Sequence, residues 1–97
     1  MNSVDFAKAL GDETRQKIMS LCFCRQLSVS EIVAQMGVTQ PTVSHHLKIL
    51  RDAGLVRVER RGKEIFYTLN QEKLALGCCR VADEFAPDID VQIIARD

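Results

Sequence analysis

Four cysteines are the residues of this 97-residue sequence with the most distinctive chemistry. They occur as two close pairs, Cys22 with Cys24 and Cys78 with Cys79. Three thiolates together could bind a soft species such as As(III), Cd(II), Pb(II) or Hg(II). Two thiols could instead be oxidised or persulfidated. Neither pair has zinc-finger or zinc-ribbon spacing, and structural disulfides are not expected in a cytosolic chain.

A packing role for some of these cysteines is the alternative. Cys22 repeats at helical spacing with Ile18 and Leu21, and Cys78 repeats in the same way with other apolar residues, so both can be small buried hydrophobes. Cys24 falls at the end of the second helix and Cys79 on a neighbouring stripe of small residues on the last helix, so both have less to do in the core. The four thiols could act together only if the end of the second helix meets the last helix, within a subunit or across a dimer.

Residues 39–54 predict a helix with a polar outer face. Thr39 can cap its N-terminus, and Gly54 suits the left-handed residue that closes a helix. An apolar stripe of Val43, Leu47 and Leu50 predicts the buried side. The opposite side carries short polar groups that can approach base edges and phosphates, although an ordinary surface helix is the alternative. The candidate DNA contacts are Gln40, Thr42, Ser44, His45 and Lys48.

The two adjacent histidines make a poor metal chelate, because neighbouring helical side chains diverge by about 100°. We assign His45 to DNA and His46 to half-buried structure.

The preceding segment predicts the other half of a helix-turn-helix. Ser28 and Glu31 have capping-box spacing, so a short helix begins here and Gly37 closes it. The connection from Gly37 to Thr39 is very short, which is typical of a helix-turn-helix. The recognition helix is expected at about 40–53.

Residues 55–69 predict a β-hairpin beside these helices. Val56 and Val58 alternate with charged residues, and Gly62 permits a tight turn. The tip carries three cations that could bind phosphate, with a solvated turn as the alternative. These cations are Arg60, Arg61 and Lys63.

The expected architecture is a single domain over 1–97, mainly α with a β-hairpin wing, in the order α-α-α-α-β-β-α. Helices are predicted at 3–10, at about 13–24 and at 71–86, besides the two described above. The last helix carries two adjacent apolar stripes, which suggests that one packs on its own domain and the other on a partner subunit. The role of the 87–97 tail stays open.

Charge distribution supports a phosphate-binding region although the net charge is zero. Residues 39–63 contain six Lys or Arg and two Asp or Glu, a net charge of +4, whereas 71–97 has a net charge of −3. No run of about 20 apolar residues and no signal peptide is found, so we expect a cytoplasmic protein. An enzyme is not expected, because no Gly-rich phosphate loop and no Cys-x-x-Cys motif occurs. A winged helix used only for protein contacts remains the other alternative.

The sequence resembles the ArsR/SmtB-type winged helix-turn-helix repressors of bacteria over about residues 4–86. Four segments carry the resemblance: 9–15, 39–50, 53–56, and 61–62 together with 66–69. The resemblance implies a homodimer built from the first and last helices, which binds double-stranded DNA at a near-palindromic operator. It also implies release from DNA when an inducer binds, and we expect no cofactor to be required for DNA binding.

Members of this family often sense metals or metalloids, so the resemblance allows each of their sites to be compared with this chain. The arsenic-type site uses a Cys-x-Cys-Asp run where this chain has Ser28-Val29-Ser30-Glu31, and the zinc-type site uses His on the last helix, where this chain has none. Both sites are therefore absent. We expect a thiol-reactive inducer, As(III) or a soft metal bound by cysteines. A redox or persulfide sensor, or a repressor without an inducer, is the alternative.

Overall fold

A computed structural model describes residues 2–89 and shows helices packed around a small antiparallel sheet. In chain order the elements are α1 Ser3–Leu10, α2 Glu13–Leu21, β1 Leu27–Ser28, α3 Val29–Met36, α4 Gln40–Asp52, β2 Val56–Arg61, β3 Glu64–Leu69 and α5 Gln71–Phe85. The mainly α fold with a β-hairpin wing is confirmed. Strand β1 was not predicted, because a two-residue strand has no detectable period. Residues 90–97 of the tail lie outside the described residues.

Most helix starts follow from local sequence. Asp12 accepts a hydrogen bond from the backbone N–H of Arg15, and Asn70 accepts one from Lys73. Ser28 and Glu31 form the predicted capping box. These bonds satisfy N–H groups that the first turn of a helix leaves without partners.

Three predictions about where helices begin or end, and how they are capped, were wrong. Asn2 rather than Ser3 caps α1, and the Ser3 hydroxyl donates instead to the carboxylate of Glu84 at 2.9 Å. Thr39 makes no side-chain cap bond, because its hydroxyl lies 3.0 Å from that of Thr42. Helix α2 ends at Leu21, three residues before the predicted end.

The C-terminus of α4 turns sharply into the sheet. Gly54 has a φ of +73°, its N–H donates to Arg51 O at 2.9 Å, and the N–H of Leu55 donates to Leu50 O at 2.9 Å. These two bonds form a Schellman motif, which only a residue in the left-handed region can close without strain. The recognition helix and the wing are therefore joined by a fixed turn.

The predicted apolar stripe of α4 is buried in the centre of the domain. Val43, Leu47 and Leu50 are almost inaccessible to solvent and pack with Ile18 of α2 and Ile32 of α3. Each such side chain contributes about 1.5–3 kcal/mol of burial. The back of α4 is therefore held firmly, which leaves its opposite side at the surface.

The sheet has the order β1-β3-β2 and extends from the helix-turn-helix. Strands β2 and β3 form a hairpin in a register that runs from Val56 opposite Leu69 to Arg61 opposite Glu64. Gly62, with a φ of +61°, allows the tight turn at the tip. Strand β1 pairs with β3 and leads directly into α3, so the wing and the helix-turn-helix form one unit.

Helix α5 lies on the surface, and its two predicted stripes are only partly realised. Leu74 and Val81 pack against the core, but Cys78 and Phe85 of the same stripe are exposed. Helix α5 contacts α1, which also lies at the surface. None of the helices between residues 2 and 89 is both long enough and apolar enough to span a bilayer.

Candidate nucleic-acid interface

The outer face of α4 carries the polar residues that were predicted from the sequence to contact DNA. Side chains of Gln40, Thr42, Ser44, His45 and Lys48 are all exposed. Lys48 forms an ion pair with Asp52 one turn later, with Nζ and Oδ2 separated by 3.3 Å. A solvent-exposed pair of this kind adds little stability and can open when a phosphate approaches.

The first turn of α4 adds backbone donors to this face. Because Thr39 makes no side-chain cap bond, it does not occupy the N–H groups of that turn. Such N–H groups and the positive end of the helix dipole favour a phosphate oxygen. Gly37, with a φ of +69°, closes α3 directly before this turn and sets the angle between the two helices.

The wing offers two free cations rather than three. Within residues 2–89, the side chains of Arg60 and Lys63 make no hydrogen bond or ion pair. The guanidinium of Arg61 folds back instead: it lies 3.0 Å from Glu59 Oε2, it donates to Gln26, and its central carbon lies 4.8 Å above the ring of Phe66. Arg61 therefore lies on the side of the wing, and its charge is partly neutralised.

The cysteines differ strongly in environment. Cys22 is buried, and burial raises the pKa of its thiol to about 11, so it stays a neutral thiol at physiological pH. Cys24 and Cys78 are exposed, and Cys79 is half-buried. The buried position of Cys22 favours its interpretation as a small hydrophobe.

The loop that follows α2 does meet α5, but it does so at the start of α5. Cys24 accepts a hydrogen bond from the side chain of Gln71, with Nε2 and Sγ separated by 3.5 Å. Gln71 precedes Cys78 by seven residues, which is about 10 Å along a helix axis. The two cysteine pairs therefore do not converge within one chain. Between residues 2 and 89, no group of three or more His, Cys, Asp or Glu side chains could hold a metal ion.

Sequence reasoning missed two residues of this region. Arg15 contacts His46 in the recognition helix, and Gln26 contacts both Glu59 and Arg61 in the wing. The partners of each lie more than thirty residues away along the chain, so no local pattern signals these contacts. His46 itself is half-buried, as expected.

Comparison with known proteins agrees with this geometry. The family model described as bacterial regulatory protein, arsR family, matches residues 12–58. The transcriptional repressor SdpR of Bacillus subtilis is 37% identical over 70 residues, which cover 72% of this chain and 76% of that protein. The arsenical resistance operon repressor of Staphylococcus xylosus is 37% identical over 67 residues, covering 69% and 64%. The chain spans only about half the length of two other curated relatives.

Solved structures show the same architecture. An ArsR-like transcriptional regulator from Rhodococcus sp. RHA1 superposes with a TM-score of 0.78 at 26% identity, covering 89% of this chain and 80% of that one. The matched segment includes the helix-turn-helix whose exposed face is described above. The chain therefore belongs to the arsR family of bacterial regulatory proteins and is a DNA-binding transcriptional repressor of the winged helix-turn-helix type.

Proposed function

We propose that this repressor acts as a homodimer that binds a near-palindromic operator in double-stranded DNA in the bacterial cytoplasm. Helix α4 of each subunit enters the major groove, and Arg60 and Lys63 of each wing contact phosphates. The observation that carries this proposal is the exposed polar face of α4, whose opposite side is locked in the core. DNA binding requires no cofactor, because both kinds of contact come from protein side chains.

Exposed apolar residues support the homodimer. Val4 in α1, Phe23 after α2 and Phe85 in α5 are 58%, 55% and 81% exposed, and Leu76 in α5 is also largely exposed. A concentration of large apolar side chains on adjacent surface elements is typical of an interaction surface. A second copy that covers α1 and α5 would leave both α4 helices free. A two-fold axis would then place them about 34 Å apart, one turn of DNA.

Light scattering after size-exclusion chromatography tests the dimer. Phe85→Glu places a charge on the proposed interface and should yield a monomer. Val58→Glu is the matched control, since Val58 is another large exposed apolar residue but lies in the wing. The control should remain dimeric. Equal masses for the wild type and Phe85→Glu would contradict an interface on α5.

Selection of binding sites from random duplex DNA tests the operator. We expect a two-fold symmetric consensus and a complex that weakens steeply with salt. Ser44→Ala and His45→Ala should change the consensus, because these side chains face the bases. Lys63→Ala should weaken binding to all DNA sequences about equally. It should also reduce the slope of log affinity against log salt concentration, here called the salt slope, by about 1. If the wild type retains no DNA from the pool, the proposed function is wrong.

We further propose that a thiol-reactive inducer releases the repressor from DNA through Cys24, Cys78 and Cys79. The arsenical resistance relative favours As(III) or another soft metal. Since Cys24 lies about 10 Å from Cys78 along α5, a site with three thiolates would draw on both subunits. Oxidation of two thiols to a disulfide, with two electrons and two protons passing to the oxidant, or persulfidation, is the alternative. A repressor with no inducer is the third possibility.

The trigger is tested on the preformed, reduced protein–DNA complex. As(III), Cd(II), a disulfide oxidant and a sulfane-sulfur donor are each added to the wild type and to the Cys24→Ser, Cys79→Ser double variant. Release by As(III) or Cd(II), lost in the variant, supports a thiolate metal sensor. Release only by the oxidant or the sulfur donor supports a redox or sulfur sensor. Survival of the complex under all four treatments contradicts thiol-based sensing.

A further inference from the structure

Arg15 in the first turn of α2 caps the C-terminus of another helix. Its side chain is only 12% exposed. Its Nε donates to the backbone oxygen of Ala9 at 2.6 Å, and one terminal nitrogen donates to that of Lys8 at 2.7 Å. Both oxygens belong to the last turn of α1, where carbonyl groups lack partners within the helix. One guanidinium therefore satisfies two of the carbonyl groups at the end of α1.

The other terminal nitrogen of Arg15 reaches α4. It lies 3.0 Å from Nδ1 of His46. A guanidinium can only donate, so Nδ1 must accept and the proton of the neutral imidazole resides on Nε2. The bond therefore fixes both the tautomer and the orientation of the His46 ring. His46 directly follows His45, which lies on the exposed face of α4.

A carboxylate lies beside this contact. The carboxylate of Asp12 lies 3.9 Å from both Arg15 and His46 Nδ1, and it partly neutralises the guanidinium. The ring of His45 also lies near His46, with ring centroids 5.4 Å apart. Arginine suits this position because its planar fork directs several donors at once, which a lysine ammonium cannot reproduce.

We propose that Arg15 is a positioning residue that couples the location of α1 to that of the recognition helix α4. The inference rests on the proposed function, because it requires α1 at the subunit interface and α4 in the major groove. A shift of α1 moves its terminal carbonyls, and the shared guanidinium transmits this shift to His46. The two recognition helices of the dimer are thereby held at the spacing that the operator demands.

Two substitutions at His46 separate the coupling from folding. His46→Asn retains an acceptor near the location of Nδ1, whereas His46→Leu removes the acceptor and keeps a side chain of comparable bulk. In both variants Arg15 can still cap α1. Arg15→Lys keeps the charge and removes the fork. The Asn and Leu variants keep the test usable if Arg15→Lys fails to fold.

The readouts are affinity for the selected operator, affinity for unrelated duplex DNA, thermal stability, and the ¹⁵N spectrum of the His46 ring. His46→Leu and Arg15→Lys should bind the operator about tenfold more weakly, the factor expected for one lost hydrogen bond. Binding to unrelated DNA should stay within about twofold, since phosphate contacts do not need the correct helix spacing. His46→Asn should restore operator binding. The wild-type spectrum should show the Nε2–H tautomer, and Arg15→Lys should show a tautomer mixture.

Three results would overturn the coupling. Operator binding by His46→Leu at the wild-type level contradicts it while leaving the DNA-binding function intact. A parallel loss of operator affinity, unrelated-DNA affinity and thermal stability indicates a structural role only. An unchanged tautomer in Arg15→Lys shows that Arg15 does not fix the ring. Failure of the wild type to bind any DNA rejects the proposed function itself, and is thus distinct from the other results.

Discussion

The ring of Phe6 in α1 lies directly against the backbone of Gly77 in α5. A Cβ atom built on Gly77 would lie 2.2 Å from Cε1 and 2.5 Å from Cζ of that ring. Phe6 is only 5% exposed, so its ring has little room to move. Glycine inside a helix costs about 1 kcal/mol relative to alanine, and here the close approach of α1 and α5 offsets that cost.

Gly77→Ala should therefore destabilise the protein although alanine is the better helix former. We expect a loss of about 1–3 kcal/mol in the free energy of unfolding, typical of overpacking in a buried contact. Urea denaturation followed by circular dichroism measures it. The double variant with Phe6→Leu is the control, because a smaller side chain at position 6 should accommodate the new methyl group. A single variant more stable than the wild type would show that α1 and α5 do not pack this closely.

The Phe6–Gly77 contact also marks the limit of what the sequence could reveal. Interactions within one or two helical turns were predictable: the caps at Asp12, Ser28 and Asn70 rest on residues three positions apart, and the buried stripe of α4 follows from helical period. The Phe6–Gly77 contact joins residues 71 positions apart in the chain. From the sequence alone, Gly77 could only be recognised as a residue that lowers the helix propensity of α5, because its packing partner belongs to another helix.

In the candidate DNA interface, too, features set by local sequence were predictable and contacts between distant segments were not. The exposed face of α4 was predictable because it lies opposite a periodic apolar stripe. The retracted position of Arg61 was in part predictable, since Glu59 lies two residues earlier on the same face of strand β2. Its contact with Gln26 was not, because strand β1 was missed. The distance between Cys24 and Cys78 likewise depends on how α2 meets α5.

The four cysteines should react at very different rates. Cys22 is buried and its pKa is raised to about 11, so it should resist alkylation at pH 7.5, whereas Cys24 and Cys78 should be modified readily. Iodoacetamide labelling of the reduced native protein, read by mass spectrometry of peptides, measures this. Labelling in urea is the control, in which all four should react. Rapid native labelling of Cys22 would show that the end of α2 opens to solvent.

The raised pKa of Cys22 also predicts how stability depends on alkaline pH. Because the folded-state pKa lies above the ordinary value of 9.0, the folded protein holds this proton more tightly than the unfolded chain. The contribution of Cys22 to the unfolding free energy should therefore be constant below about pH 9 and should fall as pH rises toward 11. Cys22→Ala, although less stable overall, should lack this part of the fall. The same alkaline slope in both proteins would mean that Cys22 is not the responsible group.

Removal of the Glu59 carboxylate should strengthen DNA binding. Glu59→Gln deletes a negative charge in the wing and frees the guanidinium of Arg61, so the salt slope should steepen by about 1. Glu64→Gln is the matched control: it removes a charge from the same hairpin, opposite Arg61, but from a residue that makes no ion pair within residues 2–89. Fluorescence anisotropy across a salt series measures both. Identical slopes for the two variants would indicate that Arg61 reaches phosphate in the wild type despite Glu59.

Asp12 should make the fold sensitive to acid. The N–H of Arg15 donates to this carboxylate and holds its pKa below the ordinary value of 3.8, with a further contribution from the nearby charge of Arg15. A carboxyl group with a lowered pKa in the folded state stabilises the protein above its unfolded-state pKa, and that contribution disappears as pH falls through the lower folded-state value. The midpoint of thermal unfolding should thus fall as pH drops below about 4. Asp12→Asn keeps a side chain that caps helices well but cannot titrate, so its midpoint should fall less over the same range. If both midpoints fall equally, other carboxylates account for the acid sensitivity, and the interaction of Asp12 with Arg15 contributes nothing measurable to it.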